Sequence, residues 1–307
     1  MTIGYNRPLY ILPFDHHSSF ERDLFGWHGA LSPDQIEKVI AAKTVIYDGF
    51  KRALTMGVSK DEAGILVDPQ FGAAILADAR DNGIMTCMPV EKSSPAEFQF
   101  EHGDRYAEAI KEFDPTFVKV LVRYNPEDDE ALNRRQLERL NALSEYLHTN
   151  GKLFMFELFV PMSMDQKRRL EGNNAIYDQD LRPSLMLASI KELQNSGVEP
   201  DVWKIEGLDF VGDCEKIIET VQRGQRDAVS CIVLGRGSSD QQVIGWLRNA
   251  GEVPGFTGLA VGRTSFWDSL IELRDHKITR ELAVEQIAKR YIEWVTVFQR
   301  ASRRAPI

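Results

Sequence analysis

The sequence alternates short apolar segments with longer segments of helical period, and this alternation occurs eight times. The apolar segments are rich in β-branched and aromatic residues and have the length of strands. The eight predicted strands are residues 9–14, 64–67, 83–88, 116–122, 152–157, 201–206, 228–234 and 256–261. Eight strand–helix units in about 250 residues match the size of a TIM barrel, whereas a doubly wound sheet has fewer strands. We therefore predict an α/β fold, a single (β/α)8 TIM barrel that forms one domain over residues 1–307.

The segments between the strands carry the boundary signals of helices. Ser32 can cap the helix predicted for residues 32–54, and Pro33 occupies its first position. The helix predicted within residues 127–151 ends on a glycine, as many helices do. Residues 279–302 predict an additional C-terminal helix that packs against the barrel or against a partner subunit. A homo-oligomer is therefore one of the expected states.

Composition and charge narrow the classes of partner. The chain has a net charge of -9, and its Lys and Arg residues are dispersed rather than gathered in a basic stripe. This pattern disfavours a nucleic-acid partner and favours a small molecule. Cys87, Cys214 and Cys231 lack the CxxC spacing of a zinc or redox site. No segment has the pattern of an export signal or the roughly 18 apolar residues of a membrane helix, so we expect a cytoplasmic protein without a membrane partner.

The phase of the strands predicts which side chains point into the barrel, because successive residues alternate between the interior and the helix layer. In "VWKIE" the tryptophan and isoleucine suit the helix layer, so Lys204 points inward. In "FVKVLVR" the three valines suit the helix layer, so Lys119 and Arg123 point inward. In "LFMFE" the two phenylalanines face outward and Glu157 faces inward.

Two aspartates extend this charged set to the ends of the first two strands. Asp15 follows the first strand and Asp68 the second. The carboxyl ends of the strands form the face on which barrel enzymes carry their chemistry. A plainer interpretation is that both aspartates cap the following loops or helices, and that Lys119 pairs with Glu157 or Asp15 without a chemical role.

A lysine and a glutamate in a barrel interior suggest amine chemistry. A neutral amine attacks a ketone, and the resulting iminium is an electron sink for cleavage of the adjacent carbon–carbon bond. Lys204 would be the nucleophile, and Glu157 on the neighbouring strand would transfer the protons. Lys119 could lower the pKa of Lys204 and orient substrate oxygens. This chemistry requires no cofactor.

The loops after the seventh and eighth strands predict a phosphate site, because barrels commonly hold phosphate there. These loops read "LGRGSSDQQ" and "VGRTSFWD", and Arg236 or Arg263 can supply a charged fork. Alternatively, the glycines only turn the chain and Arg263 pairs with Asp268. The glycines that would let backbone N–H groups approach an anion are Gly235, Gly237 and Gly262.

Six motifs together resemble a known enzyme family. The stretches "FDHHSSF", "VDPQFG", "VKVLVRYNP", "FMFELFVP", "VWKIEG" and "LAVGRTSFWD" are similar to class I barrel aldolases related to tagatose-bisphosphate aldolase. Among these they most resemble the C-terminal aldolase-like domain of the bifunctional 5-dehydro-2-deoxygluconokinases of myo-inositol catabolism. The resemblance implies that Lys204 is the Schiff-base lysine, Glu157 the acid/base and Lys119 the second lysine. It also implies that Asp15 and Asp68 border the substrate.

The predicted function is therefore cleavage of a phosphorylated keto sugar or keto sugar acid without a metal. The resemblance favours 2-deoxy-5-keto-gluconate 6-phosphate, which would give dihydroxyacetone phosphate and malonate semialdehyde, with Arg123 as a carboxylate anchor. Tagatose or fructose bisphosphate or a sulfonated sugar phosphate would fit the same machinery. His17 stands where the family pattern has an arginine, so the resemblance does not define how the distal end of the substrate is recognised. Because the chain lacks room for a kinase half, we expect it to act as a stand-alone unit.

Two further classes of function remain open at this stage. In the first, Asp15, His16 and His17 bind a divalent cation together with His102 or His148, and the protein is a metal-dependent lyase. The spacing lacks an HxH or HExxH pattern. In the second, the chain is a sugar-phosphate-binding barrel without catalytic activity.

Overall fold

The computed structural model describes residues 3–93 and 96–303. Eight parallel strands close into a barrel in which each strand pairs with the next along the chain and the last pairs with the first. The predicted (β/α)8 TIM barrel is therefore confirmed. The strands are β1 (Leu9–Pro13), β2 (Ala63–Leu66), β3 (Met85–Pro89), β4 (Phe117–Arg123), β5 (Leu153–Phe159), β6 (Val202–Glu206), β7 (Ser230–Leu234) and β8 (Phe256–Ala260).

Helices surround the barrel and follow its strands. Ser32 caps the helix that begins at Pro33, as predicted. Its hydroxyl accepts a hydrogen bond from the Gln35 backbone N–H, and the Gln35 side chain accepts one from the Ser32 N–H. A single 3-10 turn covers Gly103–Arg105, and a π-helical turn covers Tyr177–Leu181. The helices are α1 (Ser18–Phe25), α2 (Pro33–Thr55), α3 (Pro69–Asp81), α4 (Tyr106–Phe113), α5 (Glu130–Thr149), α6 (Met164–Arg169), α7 (Asn174–Ile176), α8 (Arg182–Asn195), α9 (Val211–Val221), α10 (Asp240–Gly251), α11 (Arg263–Arg274) and α12 (Arg280–Ser302).

The barrel interior and the helix layer have separate apolar cores, as strand alternation requires. Trp203 and Ile205 lie in the core between strands and helices, on the face predicted for them. Phe117 and Val202 lie two residues before Lys119 and Lys204, so both lysines sit one layer above the apolar interior. The fully buried members of the interior core are Leu9, Ile11, Leu66, Cys87, Phe117, Met155, Val202 and Ile232.

The C-terminal helix α12 packs on this chain's own barrel. Its buried face lies against α2, α10, α11 and β8. The Tyr291 hydroxyl donates a hydrogen bond to the backbone carbonyl of Tyr10 in β1, at 2.6 Å. The predicted additional helix is therefore present, and its buried apolar side chains pack within the chain.

Some strand boundaries differ from the predicted ones. Strand β3 begins at Met85 rather than residue 83, because Gly83 adopts a left-handed turn after α3. Strand β5 continues to Phe159 because it pairs with β4 as far as Arg123. Within residues 3–93 and 96–303, no helix combines the length and apolarity needed to cross a membrane.

Candidate active site

The strand register places a charged pair at the carboxyl end of the barrel. Glu157 on β5 is the direct register partner of Lys204 on β6. The Glu157 Oε1 atom lies 2.7 Å from Lys204 Nζ, and the Lys204 side chain is 5% exposed. The prediction that both residues point into the barrel therefore agrees with their positions, and they form a buried ion pair.

Lys119 on β4 is the centre of a second set of contacts. Its Nζ atom lies 2.9 Å from Glu157 Oε2, 2.9 Å from Asp15 Oδ2 and 2.6 Å from Glu91 Oε1. Its side chain is 1% exposed. The interpretation of Lys119 as an ion-pair partner of Glu157 and Asp15 is thus correct in geometry, and Glu157 bridges the two lysines.

The electrostatics of this cluster follow from burial and neighbouring charge. Burial alone would lower the pKa of Lys119, but the carboxylates of Asp15, Glu157 and Glu91 raise it well above its ordinary value. Burial would likewise raise the pKa values of Asp15 and Glu157, but Lys119 and Lys204 hold both below their ordinary values. Lys119 is therefore a permanent cation, and Asp15 and Glu157 rest as carboxylates.

Glu91 belongs to this cluster and was absent from the predicted site. It follows β3, and burial raises its pKa to about 7 against the lowering effect of Lys119. Strand phase could have found it, because Cys87 and Pro89 precede it on the same interior face. The predicted strand ends at residue 88 and therefore stops short of Glu91.

Asp68 is the predicted residue that the structure places elsewhere. Its Oδ1 atom accepts a hydrogen bond from the Phe71 backbone N–H at 2.8 Å, which caps α3. Its Oδ2 atom pairs with Lys43 of α2, and both side chains are fully buried. Asp68 is not among the residues that line the cavity. The expectation that it borders the substrate is corrected, because the carboxylate turns toward the helix layer to pair with Lys43.

The predicted phosphate loops meet at the same face of the barrel. Gly262 precedes α11 and lies so close to β1 that an added Cβ would be 2.6 Å from the Pro13 carbonyl oxygen. Arg263 pairs with Asp23 of α1 at 2.7 Å and lies over the Trp267 ring, so its ion-pair partner is Asp23 and not the expected alternative Asp268.

Arg236 is more heavily paired than Arg263. Its guanidinium contacts both carboxylate oxygens of Asp178 at 2.9 Å, and its Nε lies 3.0 Å from Glu206 Oε1. Its own backbone is left-handed, with φ 53°. Two carboxylates therefore offset the charge of Arg236, which makes Arg263 the better anion ligand of the two.

These side chains open into one cavity of about 550 Å³ at the carboxyl end of the barrel. Its lining includes ten of the eleven predicted site residues, together with Glu91, His16, His17 and Phe159. The predicted residues in its lining are Lys204, Glu157, Lys119, Asp15, Arg123, Gly235, Arg236, Gly237, Gly262 and Arg263. One concave site thus contains a buried lysine, a carboxylate in contact with it, and backbone suited to an anion.

The arrangement does not fit the metal-site alternative. His148 lies 3.9 Å from Asp201, which precedes β6 and so lies at the opposite end of the barrel from the cavity. His16 is half-buried in the cavity wall, and desolvation of its ring lowers its pKa to about 4. No three His, Cys, Asp or Glu side chains in the described ranges are arranged to hold a metal ion.

A family profile matches residues 5–302. The family is DUF2090, described as an uncharacterized protein conserved in bacteria. No curated protein sequence matches the chain.

Several solved structures share the fold at low identity. Fructose-bisphosphate aldolase from Plasmodium falciparum, in complex with TRAP and a small-molecule inhibitor, has a TM-score of 0.64 and 11% identity, covering 100% of this chain and 93% of that one. An archaeal fructose 1,6-bisphosphate aldolase has a TM-score of 0.57 and 13% identity, covering 94% of each chain. A Schiff base forming fructose-1,6-bisphosphate aldolase has a TM-score of 0.55 and 12% identity, covering 95% of this chain and 94% of that one. At these identities the likeness establishes the shared barrel fold.

Proposed function

This chain belongs to the DUF2090 family, and we propose that it is a class I aldolase that cleaves a phosphorylated keto sugar or keto sugar acid through a Schiff base on Lys204. The observation that carries the proposal is the contact of 2.7 Å between Lys204 Nζ and Glu157 Oε1, deep in the mouth of the barrel. The proteins of similar fold named above are fructose-bisphosphate aldolases, one of them described as Schiff base forming. The lysine–glutamate pair would supply that chemistry here.

The first step is the formation of an iminium. Lys204 passes a proton to Glu157 and attacks the substrate ketone as a neutral amine. The carbinolamine loses its hydroxyl as water when Glu157 returns the proton. The product is an iminium between Lys204 and the former ketone carbon, and Glu157 is again a carboxylate.

The second step breaks the carbon–carbon bond. Glu157 removes the proton from the hydroxyl two carbons from the iminium carbon, and the electron pair of the breaking bond moves to the iminium to form an enamine. The aldehyde leaves, the enamine is protonated at carbon by Glu157, and hydrolysis restores the Lys204 amine. Lys119 stays charged throughout, so it stabilises negative charge on substrate oxygens and does not carry protons.

Residues at two ends of the cavity support the proposed substrate class. Backbone N–H groups at Gly237 and Gly262, with Arg263, suit the phosphate of the ketone half, which would leave as dihydroxyacetone phosphate. The sequence resemblance adds 2-deoxy-5-keto-gluconate 6-phosphate, with malonate semialdehyde as the second product. Tagatose or fructose bisphosphate or a sulfonated sugar phosphate would use the same steps. Arg123 lines the same cavity and would border the aldehyde half in each case.

Borohydride trapping tests the proposal directly. We expect dihydroxyacetone phosphate and borohydride to add one reduced ketone unit to Lys204, read by intact mass and peptide mapping. The Lys204→Met variant should give no adduct, whereas Lys111→Met, a change on the exposed surface of α4, should react like the unmodified protein. Failure to trap any ketone, with activity abolished by EDTA, would replace the proposal by a metal-dependent lyase. Binding of sugar phosphate without adduct or turnover would favour a non-catalytic barrel.

A further inference from the structure

Glu91 has one carboxylate oxygen engaged and the other without a protein partner. The Oε1 atom accepts a hydrogen bond from Lys119 at 2.6 Å. The Oε2 atom is buried and has no hydrogen-bond partner in the part of the chain that the structure describes. Buried polar atoms are nearly always paired, so an unpaired acceptor in a cavity wall is suited to a donor on a ligand.

The backbone around Glu91 holds it in place. Glu91 forms an antiparallel bridge with Phe100. The backbone N–H of Val90 donates to the carbonyl of Lys119 at 3.1 Å, and the N–H of Glu101 donates to the carbonyl of Val90 at 2.9 Å. Glu91 is thus fixed to β4 on one side and to a returning segment on the other, which preorganises its side chain.

The barrel order shows which part of a substrate Glu91 would meet. The phosphate loops follow β7 and β8, and β3 and β4 lie across the barrel from them. A substrate whose phosphate occupies those loops and whose ketone reaches Lys204 extends its other end toward Glu91. The contacts run from Lys204 to Glu157, to Lys119 and then to Glu91, so two charged side chains separate Glu91 from Lys204 in this series.

We propose that Glu91 determines specificity by accepting a hydrogen bond from a hydroxyl group on the carbon next to the aldehyde carbon of the released half. The inference rests on the proposed aldolase function and narrows it. It favours substrates whose cleavage yields a 2-hydroxy aldehyde. Malonate semialdehyde has a methylene group at that position, so 2-deoxy-5-keto-gluconate 6-phosphate becomes the less favoured of the candidate substrates.

The charge of the cluster sets the conditions for a test. The charged groups that act most strongly on Glu91 are Lys119 on β4 and Asp15 after β1, and Glu157 and Lys204 complete the cluster. Burial raises the pKa of Glu91 to about 7, so the carboxylate is the dominant form at pH 8. An ionised carboxylate is the stronger acceptor for a hydroxyl.

The experiment measures aldol synthesis at pH 8 from dihydroxyacetone phosphate and two aldehydes that differ by one hydroxyl, glycolaldehyde and acetaldehyde. We expect the unmodified protein to prefer glycolaldehyde in kcat/KM by about 10- to 100-fold, the range for a hydrogen bond to a charged group. Glu91→Ala should remove the preference, and Glu91→Gln should leave a smaller one. The control Glu138→Gln, on the exposed surface of α5, should keep it.

Each outcome bears on a distinct claim. If Glu91→Ala slows both aldehydes by the same factor, the residue is structural and the inference is overturned. A preference of the unmodified protein for acetaldehyde or malonate semialdehyde overturns it as well, while a dihydroxyacetone phosphate adduct on Lys204 leaves the aldolase proposal intact. Absence of that adduct in the unmodified protein overturns both. The same adduct, formed by each Glu91 variant, shows that the variant is folded.

Discussion

Glu157 and Lys204 are direct register partners on neighbouring strands, and their charged atoms lie 2.7 Å apart. The hydrogen-bonded pairing of β5 with β6 brings the two side chains together, so the contact does not depend on the conformation of a loop. Rigid strands hold reacting groups more closely than loops do, so the proton donor and acceptor of the proposed reaction are preorganised.

Glu157→Gln should slow Schiff-base formation on Lys204. The amide keeps the shape of the side chain but cannot take the lysine proton, so we expect adduct formation to fall by about 10²- to 10⁴-fold. Rapid-quench trapping with borohydride measures the rate. Glu97→Gln, which changes a surface pair with Arg135 and Arg139, is the control. An unchanged rate in Glu157→Gln would assign the proton transfer to another group.

Lys119→Met should destabilise the protein more than a typical substitution does. It leaves three carboxylates, on Asp15, Glu91 and Glu157, without their shared cation. Loss of one partner of a buried ion pair costs about 3–5 kcal/mol, which urea unfolding can measure. The double variant Lys119→Met, Glu91→Gln should recover part of this loss. Equal stability of the single and double variants would show that repulsion among the carboxylates is not the cause.

Strand alternation predicted the positions of Lys204, Lys119 and Glu157 because a strand has a fixed period of two residues. The sequence could not show the partner of Asp68, since Lys43 is brought to it by the packing of α2 beside α3 and not by any local pattern. The dipeptide Asp68–Pro69 is compatible both with the end of a strand and with the start of a helix. Only the packing of the folded chain determines whether the Asp68 side chain faces the cavity or caps α3. Glu91 lies two alternations beyond Cys87, the last interior residue of the predicted strand, and the period of two still holds there.

The Lys43–Asp68 pair should behave as structure and not as catalytic machinery. Lys43→Met and Asp68→Leu should each lower the free energy of unfolding by about 3–5 kcal/mol, because each leaves a buried charge unpaired. The double variant should be more stable than either single variant, because it leaves no buried charge unpaired. It should still lose about 1 kcal/mol relative to the unmodified protein, because the cap of α3 is gone. Chemical denaturation of the four proteins gives this cycle. A double variant less stable than both singles would contradict the assignment.

Arg263→Gln should weaken phosphate recognition selectively. We expect KM for dihydroxyacetone phosphate to rise by about tenfold or more, the loss of one charge-assisted contact, while reaction with unphosphorylated dihydroxyacetone changes little. Asp23→Asn is the matched control, because it releases Arg263 from its ion pair and should not raise this KM. Equal effects on both ketones in Arg263→Gln would remove Arg263 from the phosphate site.

The stability of the protein should depend on pH through Glu91. Its folded-state pKa of about 7 lies above the ordinary value of 4.5, so between these values the folded state keeps a proton that the unfolded state has lost. Stability therefore falls as pH rises from about 4.5 to 7 and then levels off, by on the order of 2–4 kcal/mol from this group. Glu91→Gln lacks this titration. The free energy of unfolding of Glu91→Gln minus that of the unmodified protein should thus rise between pH 5 and pH 8 in urea titrations. A difference that stays constant across this range would show that Glu91 in the folded protein is ionised at both pH values.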